Sequence, residues 1–155
     1  MKIHFKPLSI SLLISLGVGA ASAFVTRNSM DIYKSIKLPP LSPPSITFPI
    51  VWTILFILMG IAAYLIYISN SKNKKTALKF YGIQLLLNFI WPIIFFNMRS
   101  YLFAFIWLIL LLLFILKTFT SFKAINKKAA YLLIPYILWI IFAGYLNIAI
   151  YFLNR

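Results

Sequence analysis

The sequence predicts an all-α, polytopic integral membrane protein: a five-transmembrane-helix bundle forming one domain over residues 1–155. Three observations lead there. The 155 residues are 63% hydrophobic and only 10% charged, whereas a soluble domain carries about 45–50% apolar and about 25% charged residues. At about 20 apolar residues per crossing, this content fills roughly five spans. The remainder is too short for a separate folded domain once loops are counted. A soluble enzyme and an extramembrane receptor domain are both excluded, and any site lies inside the bundle or in its loops.

Uninterrupted apolar stretches place the spans at Leu8–Val25, Ile46–Ile68, Ala77–Phe96, Tyr101–Phe122 and Ala129–Leu153. The first also has the layout of a cleavable signal peptide, with Lys2 and Lys6 before it and Ala21-Ser22-Ala23 near its end. Its length exceeds the usual apolar core of about 7–15 residues, so a retained span is expected. Kinks are expected at Pro92 and Pro135.

A net charge of +14 would suggest nucleic acid in a soluble chain. Here the cations stand singly or in small groups between apolar runs, where they anchor span ends to anionic headgroups, so membrane lipid and not nucleic acid is the expected partner. Lys2, Lys6, Lys72, Lys74, Lys75, Lys79, Lys117, Lys123, Lys127 and Lys128 fall on one side. Arg27, Lys34, Lys37, Arg99 and Arg155 fall on the other. The positive-inside bias then puts the N-terminus in the cytoplasm and the C-terminus outside. One acidic residue (Asp31), one histidine (His4) and no cysteine argue against a metal centre, a disulfide, a thiol nucleophile or a histidine triad. No obligatory cofactor and no catalytic residue is expected, since the spans hold no acid–base pair.

The loop of residues 26–45 is the one connection long enough to fold over the bundle. Pro39, Pro40, Pro43 and Pro44 stiffen it and favour an extended course. It reads equally as a rigid spacer or as a lid.

Within the spans, three helical faces carry polar and aromatic side chains at helical spacing. They are Trp52, Phe56, Met59 and Ala63 with Gly60 beside them; Gln84, Asn88, Trp91 and Phe95; and Trp139, Ala143 and Asn147 with Tyr136 one turn earlier. Amides and indoles in hydrocarbon need partners. The faces suit either interhelical bonding or an aromatic cavity, and the residues alone leave both open. Trp107 is read as lying in an interfacial belt or facing lipid.

The same residues resemble a known family. Leu38-Pro-Pro-Leu-Ser-Pro-Pro44, Trp52 to Gly60, Leu87-Asn-Phe-Ile-Trp91 with Phe95-Phe96, and Pro135 to Asn147 resemble, in order, the loop and the second, third and fifth helices of the TspO/MBR family. The resemblance implies a five-helix bundle, often a homodimer, that binds porphyrins, haem-like tetrapyrroles, sterols and benzodiazepine-type drugs as a receptor or transporter. By motif it implies a cavity lined by Trp52, Phe56, Asn88, Trp91, Phe95, Trp139, Ala143 and Asn147. The implied lid carries Tyr33, Pro39, Pro43 and Pro44. A loose version of the family's sterol pattern falls on Leu146, Tyr151 and Arg155. Light-dependent porphyrin breakdown and a regulatory membrane subunit are the alternatives. The first is weakened because Leu41 stands where the family loop carries Trp, just as Leu38 stands at its Lys.

Overall fold

The computed structural model describes residues 2–155. Five helical stretches are long and apolar enough to cross a membrane: Phe5–Thr26, Thr47–Tyr67, Lys74–Asn97, Tyr101–Ile125 and Lys127–Asn154. Among the described residues there are seven α-helices, six within these stretches and α2 in the loop between the first two: α1 (Phe5–Thr26), α2 (Ile32–Ser35), α3 (Thr47–Tyr67), α4 (Lys74–Pro92), α5 (Tyr101–Ile125), α6 (Lys127–Tyr131) and α7 (Ile134–Asn154). No strand occurs among the described residues. Helices are forced here because lipid offers backbone N–H and C=O groups nothing to bond, and a helix satisfies them internally.

The breaks fall at proline. Pro92 ends α4, and its missing N–H lets the chain widen into a π-helical turn over Ile93–Asn97, where the Met98 amide donates to the Ile93 carbonyl at 3.0 Å. Pro135 sits in the first turn of α7, so the expected fifth span is split into α6 and α7 by Leu132 and Leu133. Asn126 caps α6, its side-chain oxygen accepting from the Lys128 and Ala129 amides. The loop also differs from expectation, because α2 occupies part of it and the proline run is not extended throughout. It turns at Pro40-Leu41, with Leu41 at φ 72°, the pairing of proline and positive φ found in a type II turn.

The helices pack in the order α3, α1, α4, α5, α7, with α3 also against α4 and α6. The outer faces are apolar and exposed, as at Leu13, Leu86, Leu113 and Leu138, which suits contact with lipid. The α1–α3 seam is built from small residues. The Ser11 hydroxyl donates to the Gly60 carbonyl at 2.6 Å and the Ser15 hydroxyl to the Phe56 carbonyl at 2.8 Å. Gly19 leaves room for the Phe56 ring, and Gly60 lies against Ser15 and Leu12. Between helices in lipid, close approach and hydrogen bonds replace the hydrophobic effect as the source of cohesion. Trp107 departs from its expected lipid-facing role: it is half-buried and its indole N–H donates to the Leu87 carbonyl at 2.9 Å, tying α5 to α4.

A Cβ at Gly60 would lie 2.8 Å from Ser15 Oγ and 2.9 Å from Leu12 Cδ2, whereas one at Gly82 meets nothing within 4 Å. Gly60→Ala is expected to lower stability in detergent by about 1–3 kcal/mol through overpacking, and Gly82→Ala to leave it unchanged or raised. Thermal unfolding of the two variants checks this; equal melting temperatures would show that the seam is not tightly closed.

Candidate functional site

The three faces anticipated from spacing meet inside the bundle, toward the end that carries the proline loop. Phe56, Asn88, Phe95, Ala143 and Asn147 are buried, and Trp52, Trp91 and Trp139 are half-buried. Met59, Gln84 and Tyr136 are buried among them.

The amides are engaged with protein partners. Asn88 Nδ2 donates to the Tyr136 hydroxyl at 2.6 Å, and that hydroxyl donates to Gln84 Oε1 at 2.6 Å. Gln84 Nε2 reaches Met59 Sδ at 3.9 Å. One turn further along, Trp91 Nε1 donates to Asn147 Oδ1 at 3.0 Å, and Asn147 Nδ2 donates to the Tyr101 carbonyl at 2.7 Å. The bonds show the interhelical reading of these polar faces: Asn88 and Asn147 join helices at the place where the aromatic rings gather.

The rings line the seam between α3 and α7. Trp52 lies 5.6 Å from Phe56 and 6.3 Å, edge-on, from Tyr136, while Phe48 stands 5.9 Å from Trp139. Among the described residues no side-chain hydrogen bond joins α3 directly to α7; the bonds of α7 go to α4, α5 and the loop. Trp139 Nε1 is buried without a partner. A buried donor left unpaired costs about 1–3 kcal/mol, which marks it as a group available to something else. Tyr81 Oη, nearer the opposite end and stacked 6.0 Å from Phe122, is the other such atom among the described residues.

The loop roofs this seam. The Tyr33 hydroxyl donates to the Pro43 carbonyl at 2.5 Å, and the Tyr33 ring meets Phe48 edge-on at 5.1 Å. Burial pushes the Tyr33 phenol above its ordinary value of 10.0, with the Ser42 hydroxyl acting against that shift, so this latch stays protonated at neutral pH. The Tyr145 hydroxyl donates to the Pro40 carbonyl at 2.6 Å. Asn154 both accepts from the Lys37 amide and donates to the Lys37 carbonyl, each at 2.8 Å, which pins the loop to the end of α7. Pro39 is buried, Pro43 half-buried and Pro44 exposed, so the prolines shape the loop more than they face the seam. Leu41 is 81% exposed at the turn and points no side chain inward.

Leu146 is buried, Tyr151 half-buried and Arg155 exposed. Five residues of helix rotate Leu146 well away from Tyr151, so the loose sterol pattern does not make one face. Tyr136 was visible as part of the Trp139 face. The latches at Tyr145 and Asn154 carried no sequence signal, since each joins positions 105 and 117 residues apart.

The chain matches the model of the TspO/MBR family over residues 10–153. It is 39% identical over 149 residues to a tryptophan-rich protein TspO of Chlorobaculum tepidum, covering 95% of this chain and 94% of that one. To the protein of the same name in Archaeoglobus fulgidus it is 35% identical, over 95% of this chain and 96% of the relative. To the translocator protein of Bos taurus it is 32% identical, over 90% and 85%.

Tyr136→Phe removes one hydroxyl and leaves the Asn88 and Gln84 amides facing each other across the space. The expected loss is about 1–3 kcal/mol of stability, read by thermal unfolding in detergent. A change within error would mean that the amide chain adds nothing to α4–α7 cohesion.

Proposed function

The chain belongs to the TspO/MBR family, as an integral membrane protein, and on that premise we propose that it is a receptor or transporter for a flat tetrapyrrole. Porphyrin or a haem-like molecule enters the seam between α3 and α7 beneath the proline loop. Sterols and benzodiazepine-type molecules are further candidates for the same space. The observation that carries the reading is the buried, unpartnered Trp139 Nε1 on a seam closed by rings alone. Indole and phenyl faces suit a planar aromatic ligand, and one free donor sets its orientation. Asn88 and Asn147 already hold Tyr136 and Trp91, so in this chain orientation falls to Trp139 first. Entry requires Trp52, Phe48 and Trp139 to part as α3 and α7 separate, a movement that leaves the α1–α3 and α4–α7 bonds in place. Lys34 and Lys37, exposed on the loop, offer charge to ligand carboxylates.

Protoporphyrin titrated into the detergent-solubilised protein is expected to quench tryptophan fluorescence saturably. Trp139→Phe keeps a ring but loses the donor, and its affinity should fall about five- to tenfold, the loss of one buried hydrogen bond. Unchanged affinity in a variant that melts normally would remove the seam as the site.

The same reading includes the orientation given by the basic bias: N-terminus in the cytoplasm, proline loop and C-terminus outside. Ser71→Cys, in a chain with no other cysteine, should react with an impermeant maleimide only after cells are opened. Labelling of intact cells would reverse the orientation and with it the side from which ligand enters.

A further inference from the structure

Two recesses lie end to end on the outer surface, along the groove between α5 and α7 and away from the α3–α7 seam. The first, of about 310 Å³, sits at the loop-bearing end and is walled by Arg99, Ser100, Tyr151 and Arg155 among others. The second, of about 300 Å³, is apolar and lies deeper along the same helices, with Phe105, Ile109, Gly144 and Ile148 on its walls. Helical register joins the two. Leu102, Phe105, Ile109 and Leu112 form one stripe of α5, and Ile141, Gly144, Ile148, Tyr151 and Arg155 form the facing stripe of α7. At the rise of an α-helix, Leu102 to Leu112 covers about 15 Å. The groove thus runs from two exposed guanidiniums at the membrane surface into purely apolar depth.

We propose that this groove holds one anionic phospholipid, with its phosphate between Arg99 and Arg155 and an acyl chain along Phe105, Ile109 and Gly144. Arginine offers a planar fork of donors that fits phosphate oxygens. Asp31 is the chain's one acidic side chain, so the protein has no pair of carboxylate side chains to neutralise both guanidiniums. The change from polar head to apolar slot matches the layout of a lipid. A second copy of the chain is a poorer occupant, because each copy carries a net charge of +14 and the groove's charged end would meet like charge. Gly144 keeps the slot open: a Cβ there meets only Leu108 at 3.8 Å and Phe105 at 3.9 Å, so a methyl fits and a longer side chain fills the space an acyl chain would use.

Native mass spectrometry of the delipidated full chain, titrated with phosphatidylglycerol, phosphatidylcholine or inorganic phosphate, tests this. Phosphatidylglycerol is expected to bind about tenfold more tightly than phosphatidylcholine, and Arg99→Gln with Arg155→Gln should abolish that preference. Gly144→Leu should weaken both lipids while leaving the arginines in place. Melting temperature and porphyrin quenching, which concern the other seam, should stay unchanged in both variants and so report that they fold. Equal lipid preference in the double arginine variant would overturn the proposal. So would competition by inorganic phosphate at the same concentration, which would make the recess a phosphate site with no use for the slot. Unaltered lipid binding in Gly144→Leu, with loss of a dimer, would assign the groove to a second copy instead.

Discussion

Helices surrounded by hydrocarbon gain nothing by hiding apolar side chains from it, so cohesion must come from close backbone approach and from neutral hydrogen bonds. This constraint decides which helices in the bundle are fastened and which merely touch. Ser11 and Ser15 fasten α1 to α3 across Gly60 and Gly19. Asn88, Tyr136 and Gln84 fasten α4 to α7, Trp91 and Asn147 repeat the bond, and Trp107 fastens α5 to α4. Among the pairs left without a direct side-chain hydrogen bond is α3 against α7, where aromatic rings meet.

The weak seam and the fastened ones explain each other. Ring contacts part without stranding a polar group, whereas opening the α4–α7 interface would leave buried amides unpaired at a cost of about 1–3 kcal/mol each. The α3–α7 seam is therefore a direction in which the bundle opens cheaply. The proline loop lies over that direction, held at Tyr33, Tyr145 and Asn154 by bonds to backbone carbonyls and an amide. The unpartnered Trp139 indole beneath it is the group that gains most from an incoming acceptor.

The fold was legible because apolar length and proline position are local signals. Span positions follow hydrophobic runs, and the interruptions follow Pro92 and Pro135, although the π-helical turn and the α6–α7 break needed coordinates to be seen. The three inward faces were legible from helical spacing, which depends on nothing but period. The partner chosen by each polar side chain was not. Spacing placed Asn88 and Trp139 on inward faces but could not say that Asn88 would be satisfied by Tyr136 while Trp139 would find no partner. The loop latches escaped for the same reason, since Lys37 and Asn154 are brought together only by the whole bundle. Trp107 was misassigned because one indole near a span end has the same sequence signature whether it faces lipid or donates to a neighbouring carbonyl.

The central claim is that α3 and α7 separate while the other interfaces hold. The chain has no cysteine, so spin labels can be placed cleanly at exposed, lipid-facing sites such as Ile50 on α3 and Leu138 on α7, with Leu86 on α4 and Leu113 on α5 as the reference pair. Pulsed electron–electron double resonance without and with protoporphyrin reads both distances. A longer or broader α3–α7 distance on adding porphyrin, with the α4–α5 distance fixed, is the predicted result. An unchanged α3–α7 distance at saturating porphyrin, or an equal change in both pairs, would contradict it.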